Sequence, residues 1–277
     1  MPVTRLRLCA SILLVALLPV TAQSRPDPGR PTYTIAMVPV LTPTDIHRRW
    51  QPLLEQLARD SGLALRFRYY ENSESFEAAI ANGEPDFALL GPWQLWQNRQ
   101  QYRPLLHFGR PLTGLVMVRN DSPVQSLTDL RKRSLGMPDG NDLPSGVLMR
   151  QQLHEHKTEP RIVPTRTHAN GLRSVLLGRV DAVSTNNYSL LLLAPDMAAQ
   201  LRAIHETQPL PPPALAAARR LPPDIAASVL NALLDLQKER SPLLGPMLMH
   251  DIVEADLERD YGMLERLPVN EAAHEAR

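Results

Sequence analysis

The chain has 277 residues, with 30 Lys and Arg against 29 Asp and Glu, one Cys and 5% aromatic residues. A formal net charge of +1 leaves no electrostatic footprint for nucleic acid or an anionic membrane. The lone Cys9 excludes a disulfide framework and a thiolate metal cluster, and the length suffices for one large or two medium α/β domains.

The N-terminus, MPVTRLRLCASILLVALLPVTAQS, carries Arg5 and Arg7, then an apolar stretch from Leu8 to Val20, then small residues at Val20 and Ala22. This pattern predicts a secretory signal over residues 1–22, cleaved near Ala22, and a periplasmic destination; an uncleaved anchor is the alternative reading. Removing the signal takes away the only thiol and leaves 28 basic against 29 acidic residues. Residues 23–31 read as a polar linker.

Tyr33–Val40 reads as a buried strand. Trp50, Leu53, Leu54 and Leu57 recur with helical spacing, and Pro52 is expected to kink that helix or lie in its first turn. Leu63–Tyr70 alternates as a half-buried strand. A short helix through Phe76, Ala79 and Ile80 ends at Asn82-Gly83, strand Asp86–Leu90 follows, and Pro92–Gln100 reads as a helix. Leu105–Gly109 and Leu115–Val118 read as further strands. A second block begins with a serine-capped turn at Ser126 and strand Ser134–Met137. Then come helix Ser145–Glu155, strand Ile162-Val163, helix His168–Leu177 and strand Val180–Ser184. Leu201–Glu206 reads as a return strand, Pro209–Pro213 as extended chain and Ala214–Ala218 as a strand. Ile225–Lys238 and Asp251–Leu264 read as terminal helices.

Two segments share one grammar: NGEPDFALLGP (Asn82–Pro92) and LGRVDAVSTNN (Leu177–Asn187). Each reads as helix end, left-handed glycine, tight turn, buried strand and polar loop. Their separation predicts an α/β chain of two lobes, with mostly parallel sheets.

In such sheets ligands sit beyond the carboxyl ends of strands, at helix N-termini. Four loops qualify: Leu41–Asp45, Gly91–Trp96, Asp139–Gly146 and Thr165–Asn170. Their candidates are Thr42 and Thr44, then Trp93 and Trp96 as pocket walls, Ser145 as an oxyanion donor, and His168. Neutral imidazole at a helix start would donate a ring N–H to an anion. Asn186 and Asn187 are further polar contacts. The competing readings are core packing for the tryptophans and helix capping for Ser145 and His168. G-x-S-x-G, H-E-x-x-H and G-x-G-x-x-G are missing from the expected places, so neither an enzyme nor a cofactor site is expected. His154-Glu155-His156 puts its two imidazoles on different helix faces, so no metal site is expected there.

The stretches RWQPLLEQLARDSGL, AIANGEPDFALLGP, SPVQSLTDLRKRSLGMPDG, THANGLRSVLLGRVDAV and LRAIHETQPLPPPALAAARRLPPD, with Ser145-Gly146 opening a helix, together resemble the phosphate/phosphite/phosphonate-binding (PhnD-like) solute-binding proteins of ABC importers. The resemblance implies the type II periplasmic-binding-protein fold: lobe one over 32–111 and 208–277, lobe two over 112–207, and a small-molecule ligand closed between them. It implies a monomer delivering to an ABC permease; presentation to a membrane sensor is the alternative, and an exported enzyme on the same fold a third. The family's two ligand tyrosines fall on about Ser73 and near Leu95. Its Ser-Thr-Ser-Gly anion cradle reads Leu143-Pro144-Ser145-Gly146, and its His-Asp pair reads His168-Ala169. Only Ser145 and His168 carry over. A dianion needs several convergent donors, so the expectation is a different or less charged ligand, or a divergent oxyanion site.

Overall fold

The two joints with the shared grammar are built alike, atom for atom. A computed structural model of the chain describes residues 31–138, 142–193 and 195–267; the expected signal, nearly all of the linker and Asp139–Asn141 lie outside them. In chain order the elements are β1 (Thr32–Met37), α1 (Pro43–Ser61), β2 (Ala64–Arg68), α2 (Ser73–Ala81), β3 (Phe87–Leu90), α3 (Pro92–Gln97), β4 (Tyr102–His107), β5 (Gly114–Arg119), β6 (Ser134–Met137), α4 (Leu148–Glu155), β7 (Arg161–Pro164), α5 (His168–Leu176), β8 (Ala182–Asn186), α6 (Asn187–Leu193), α7 (Pro195–Ala198), β9 (Leu201–Glu206), β10 (Ala214–Ala218), α8 (Pro223–Lys238), β11 (Val253–Glu254) and α9 (Leu257–Tyr261).

After α2, Gly83 adopts φ 66°. Its N–H donates to the Ile80 carbonyl, and the Glu84 N–H donates to the Ala79 carbonyl. After α5, Gly178 adopts φ 67°, and the Gly178 and Arg179 N–H groups reach Val175 and Ser174 with the same offsets. This is the double-bonded glycine cap that satisfies the last helical carbonyls. Three residues on, Asp86 Oδ2 accepts from the Thr34 N–H (2.8 Å) and hydroxyl (2.9 Å) on β1. Asp181 Oδ2 accepts from the Ser134 N–H (2.8 Å) and hydroxyl (2.6 Å) on β6. The aspartates thus start their strands and also fasten them to the neighbouring parallel strand.

Burial disfavours the Asp181 carboxylate, but the Ser134 hydroxyl and amide and the Arg133 guanidinium outweigh it and hold the carboxyl below its ordinary range. A depressed carboxyl contributes stability above its unfolded value and loses it as the pH falls through the folded value. Ser134→Ala should therefore flatten the acid limb of stability against pH below about pH 4. Urea unfolding at a series of pH values checks this; an unchanged acid limb refutes it.

The first sheet runs β2-β1-β3-β10-β4-β11 and the second β7-β6-β8-β5-β9. β2, β1 and β3 are parallel, as are β7, β6 and β8, so each half holds a β-α-β-α-β unit with its first strand central. The expected predominance of parallel pairing ends there. β10 runs antiparallel to β3 and β4, and β5 antiparallel to β8 and β9, because these strands return from the other sheet rather than through a helix. The chain passes between the sheets at Phe108–Thr113 and again at Thr207–Pro213. The two passages pair through Leu112 and Leu210, and the Gly114 N–H donates to Thr207 Oγ1 at 2.8 Å.

Several boundaries differ from expectation. Pro52 lies inside α1, on its exposed side. The helix expected from Ser145 is a π-turn over Leu143–Val147 followed by α4. β8 extends through Asn186. Asp251–Leu264 is not one helix: β11 pairs with β4 before α9 begins. Of the described residues, no helix is long and apolar enough to cross a membrane.

Candidate functional site

β8 is the organising element. All five of its residues are buried, yet its last three are Ser184, Thr185 and Asn186. Successive side chains leave a strand on opposite faces, so neighbours 184 and 185 serve different partners. The Ser184 hydroxyl donates to the Ser145 carbonyl at 2.5 Å. Thr185 Oγ1 lies 3.0 Å from His168 Nδ1. Asn186 Nδ2 lies 3.5 Å from His168 Nε2, and Asn186 Oδ1 accepts from the Ser189 N–H in α6 at 2.7 Å. The Ser189 N–H on its oxygen fixes the Asn186 amide so that Nδ2, a donor, faces the imidazole. β8 thereby anchors both positions that the sequence singles out, Ser145 and His168.

Ser145 is fully buried. Its N–H and hydroxyl both donate to Asp142 Oδ2, at 3.0 and 2.5 Å. The Gly146 and Val147 N–H groups donate to the Asp142 carbonyl at 2.7 and 3.0 Å. The π-turn that carries Ser145 lies against β5 so closely that a Cβ on Gly114 would fall 2.1 Å from the Pro144 carbonyl oxygen. On its other side, Leu143 and Leu148 join the apolar cluster formed by the first sheet and its helices. The cradle turn is thus wedged between the two sheets.

The remaining candidates are placed differently. The Thr42 hydroxyl caps α1, donating to Asp45 Oδ2 at 2.8 Å and accepting from the Asp45 N–H at 3.2 Å. Thr44 is exposed. Trp96 packs in the first core, 6% exposed, with the Arg99 guanidinium 4.6 Å over its ring. Trp93 is half-buried against the same core. Asn187 holds the first passage between sheets, donating to the Pro111 carbonyl at 2.8 Å and accepting from the Thr113 N–H at 3.1 Å.

Tyr188 beside it reaches further. Its hydroxyl is 2.9 Å from the Phe108 carbonyl and 2.7 Å from the Arg110 carbonyl, between which its single proton is shared. Burial, against an opposing hydrogen bond at Arg110, pushes the phenol up to about 12, so it remains a donor at neutral pH. From the first sheet's side, Arg49 Nη1 donates to the Leu192 carbonyl in α6 at 2.9 Å.

His156 does not pair with His154; its ring meets His205 on β9 edge-on, with centroids 5.7 Å apart. Among the described residues, no group of three or more His, Cys, Asp or Glu is placed to hold a metal.

Sequence reasoning missed Asp142, Ser184, Thr185 and Tyr188. An Asp three residues before a serine at a helix start is a capping signature, and adjacent Ser-Thr at the end of an apolar strand is a polar cost that calls for partners. Both signals were legible. Tyr188 had none, because its acceptors are backbone carbonyls distant in sequence.

The family model for the periplasmic substrate-binding protein of phosphonate ABC transporters matches residues 35–261. No curated protein matches the chain in sequence. Among solved structures, a binding-protein component of an ABC phosphonate transporter from Pseudomonas aeruginosa is 15% identical, with TM-score 0.71 over 85% of each chain. PhnD1 from Prochlorococcus marinus, in complex with methylphosphonate, is 14% identical, with TM-score 0.70 over 88% of this chain and 98% of that one. XAC2383 from Xanthomonas citri, bound to chloride ion, is 18% identical, with TM-score 0.68 over 88% and 99%. With two sheets joined by paired passages, a family match across nearly all of the described residues and neighbours of the two-lobed type II fold, the chain belongs to the phosphonate family of ABC-transporter periplasmic substrate-binding proteins.

Proposed function

We propose that the chain captures one small solute between a lobe of residues 32–111 and 208–277 and a lobe of residues 112–207, and delivers it unchanged to an ABC permease. Ser145, His168, Thr185 and Asn186 form the polar floor of this site. The observation that carries the reading is the wedged cradle turn: it holds Ser145 against β8 while Leu143 and Leu148 pack into the first lobe's core. A ligand there touches both lobes and stabilises their approach. Thr42, Asn187 and Tyr188 act on helix capping and on the passages between lobes rather than on the solute. The protein works as a monomer, and the ligand leaves without chemical change.

A thermal-shift screen of small oxyanions, zwitterions and neutral metabolites tests this. A true ligand at a hundred times its Kd should stabilise the fold by about 2.7 kcal/mol, a rise of roughly 5–10 °C for a chain of this size. Ser145→Ala combined with His168→Ala should abolish the rise. A rise that survives the double substitution places the site elsewhere.

A further inference from the structure

α6 follows β8 of the second sheet but packs on both sheets. Leu190 and Leu193 lie against the apolar cluster of the second sheet. Tyr188 and Leu192 lie against the cluster formed by the first sheet and its helices. Residues 188 and 192 are four apart and 190 and 193 three apart, so each pair shares one helix face. This short helix is a strut with one face on each half of the molecule.

Three side chains fasten it. At its start, Asn186 Oδ1 accepts from the Ser189 N–H at 2.7 Å while Nδ2 of the same amide faces the His168 ring. In its first turn, the Tyr188 hydroxyl lies on the Phe108 and Arg110 carbonyls of the first passage between sheets. In its last turn, the Leu192 carbonyl accepts from Arg49 Nη1 of α1 at 2.9 Å. That bond joins residues 143 positions apart, at the end of a helix where a cation is favoured. Next to Arg49, Trp50 is 3% exposed and its Nε1 donates to the Pro246 carbonyl at 2.9 Å, so the turn of α1 that carries the arginine is held firmly in the first half. A hydrogen bond tolerates only a few tenths of an ångström of separation. Arg49 therefore reaches Leu192 only while the two halves are together.

We infer that Arg49 is a positioning residue for solute capture: its guanidinium latches the first lobe to α6 and so keeps the lobes in the arrangement that sets Asn186 and His168 against the solute. This rests on the reading above that the solute lies between the lobes at β8. It adds that part of the stability of the closed form comes from a contact outside the polar floor, so affinity depends on a residue remote from Ser145 and His168.

The experiment is pulsed dipolar spectroscopy between spin labels at Glu55→Cys on α1 and Glu159→Cys before β7, both exposed positions. The chain carries Cys9→Ser, which removes its one native thiol. Separations are recorded with and without excess methylphosphonate for the labelled parent, Arg49→Met, Arg49→Gln and Arg49→Lys. The parent should show a short separation in at least one condition. Arg49→Met keeps the length of the side chain and loses its donors, and should lower the ratio of short to long separations about fivefold or more. Arg49→Gln is too short to span the gap and should act in the same way, so the test stands if the methionine variant does not fold. Arg49→Lys keeps a donor at similar reach and should recover most of the short separation, which a role in packing alone would not give. Separations that Arg49→Met and Arg49→Gln leave unchanged overturn the inference. So does a parent that shows only the long separation in both conditions, and so does a lysine variant that behaves as methionine does. A thermal shift that survives Ser145→Ala with His168→Ala, beside separations that respond to Arg49 as expected, would move the solute away from β8 and leave the latch standing.

Discussion

Gly114→Ala should lower the melting temperature by roughly 6–12 °C, the equivalent of about 3 kcal/mol in a chain of this size. Gly114 opens β5, where the chain enters the second sheet. An added Cβ would stand 2.1 Å from the Pro144 carbonyl oxygen, 2.7 Å from its carbonyl carbon and 2.9 Å from Thr207 Cγ2. Two of these three neighbours are backbone atoms and cannot rotate away, so the cradle turn or the strand has to move. Moving the turn would also pull Ser145 from the Ser184 hydroxyl, so solute binding should fall with stability. Gly83→Ala is the informative contrast. Its Cβ would meet nothing closer than 3.6 Å, but its φ is 66°, so the cost is conformational, about 1 kcal/mol, with binding intact. Calorimetric melting and titration of both variants decide the matter. A Gly114→Ala protein that melts with the unmodified one would mean the close approach is not held in solution.

Asp86→Ala should cost about 2–4 kcal/mol, and Asp181→Ala about 1–2 kcal/mol, although the two aspartates perform the same task. Asp86 bonds the Thr34 amide and hydroxyl and receives Arg220 Nη1 at 2.7 Å. Its side chain is 15% exposed. Truncation leaves a strand amide and a hydroxyl without their acceptor in a shielded place, while Arg220, itself 49% exposed, keeps the Gly83 and Glu84 carbonyls. Asp181 serves Ser134 in the same way, but its side chain is 40% exposed and Arg133 stands at 3.5 Å, where water replaces the lost partner and the ion pair adds little. Urea unfolding measures both. Equal costs would show that shielding is not what separates them, and a loss below about 1 kcal/mol for Asp86→Ala would show that the strand ladder holds β1 to β3 without the clamp.

What could be read from the residues follows the range of the forces involved. A left-handed glycine after a helix, an aspartate three residues later and an apolar run are all decided within a few positions, so both joints and their strands were legible without coordinates. The capping of Ser145 by Asp142 acts over three residues and is equally local. β10 is the opposite case. Alanine has little strand preference, and Ala214–Ala218 is a strand because β3 and β4 offer it ladders on both sides. β11 likewise forms only because β4 has an open edge beside it.

By itself the order of residues determined two sheet-and-helix halves, their shared joint and the family to which they point, because those depend on local backbone preference and on the period of apolar side chains. Tertiary structure alone decided that returning strands run antiparallel, that Trp96 belongs to a core while Asn187 and Tyr188 hold the passages, and that the cradle turn is wedged between lobes. Each of those outcomes depends on which distant backbone groups and surfaces come within a few ångströms, and spacing along the chain carries no record of that.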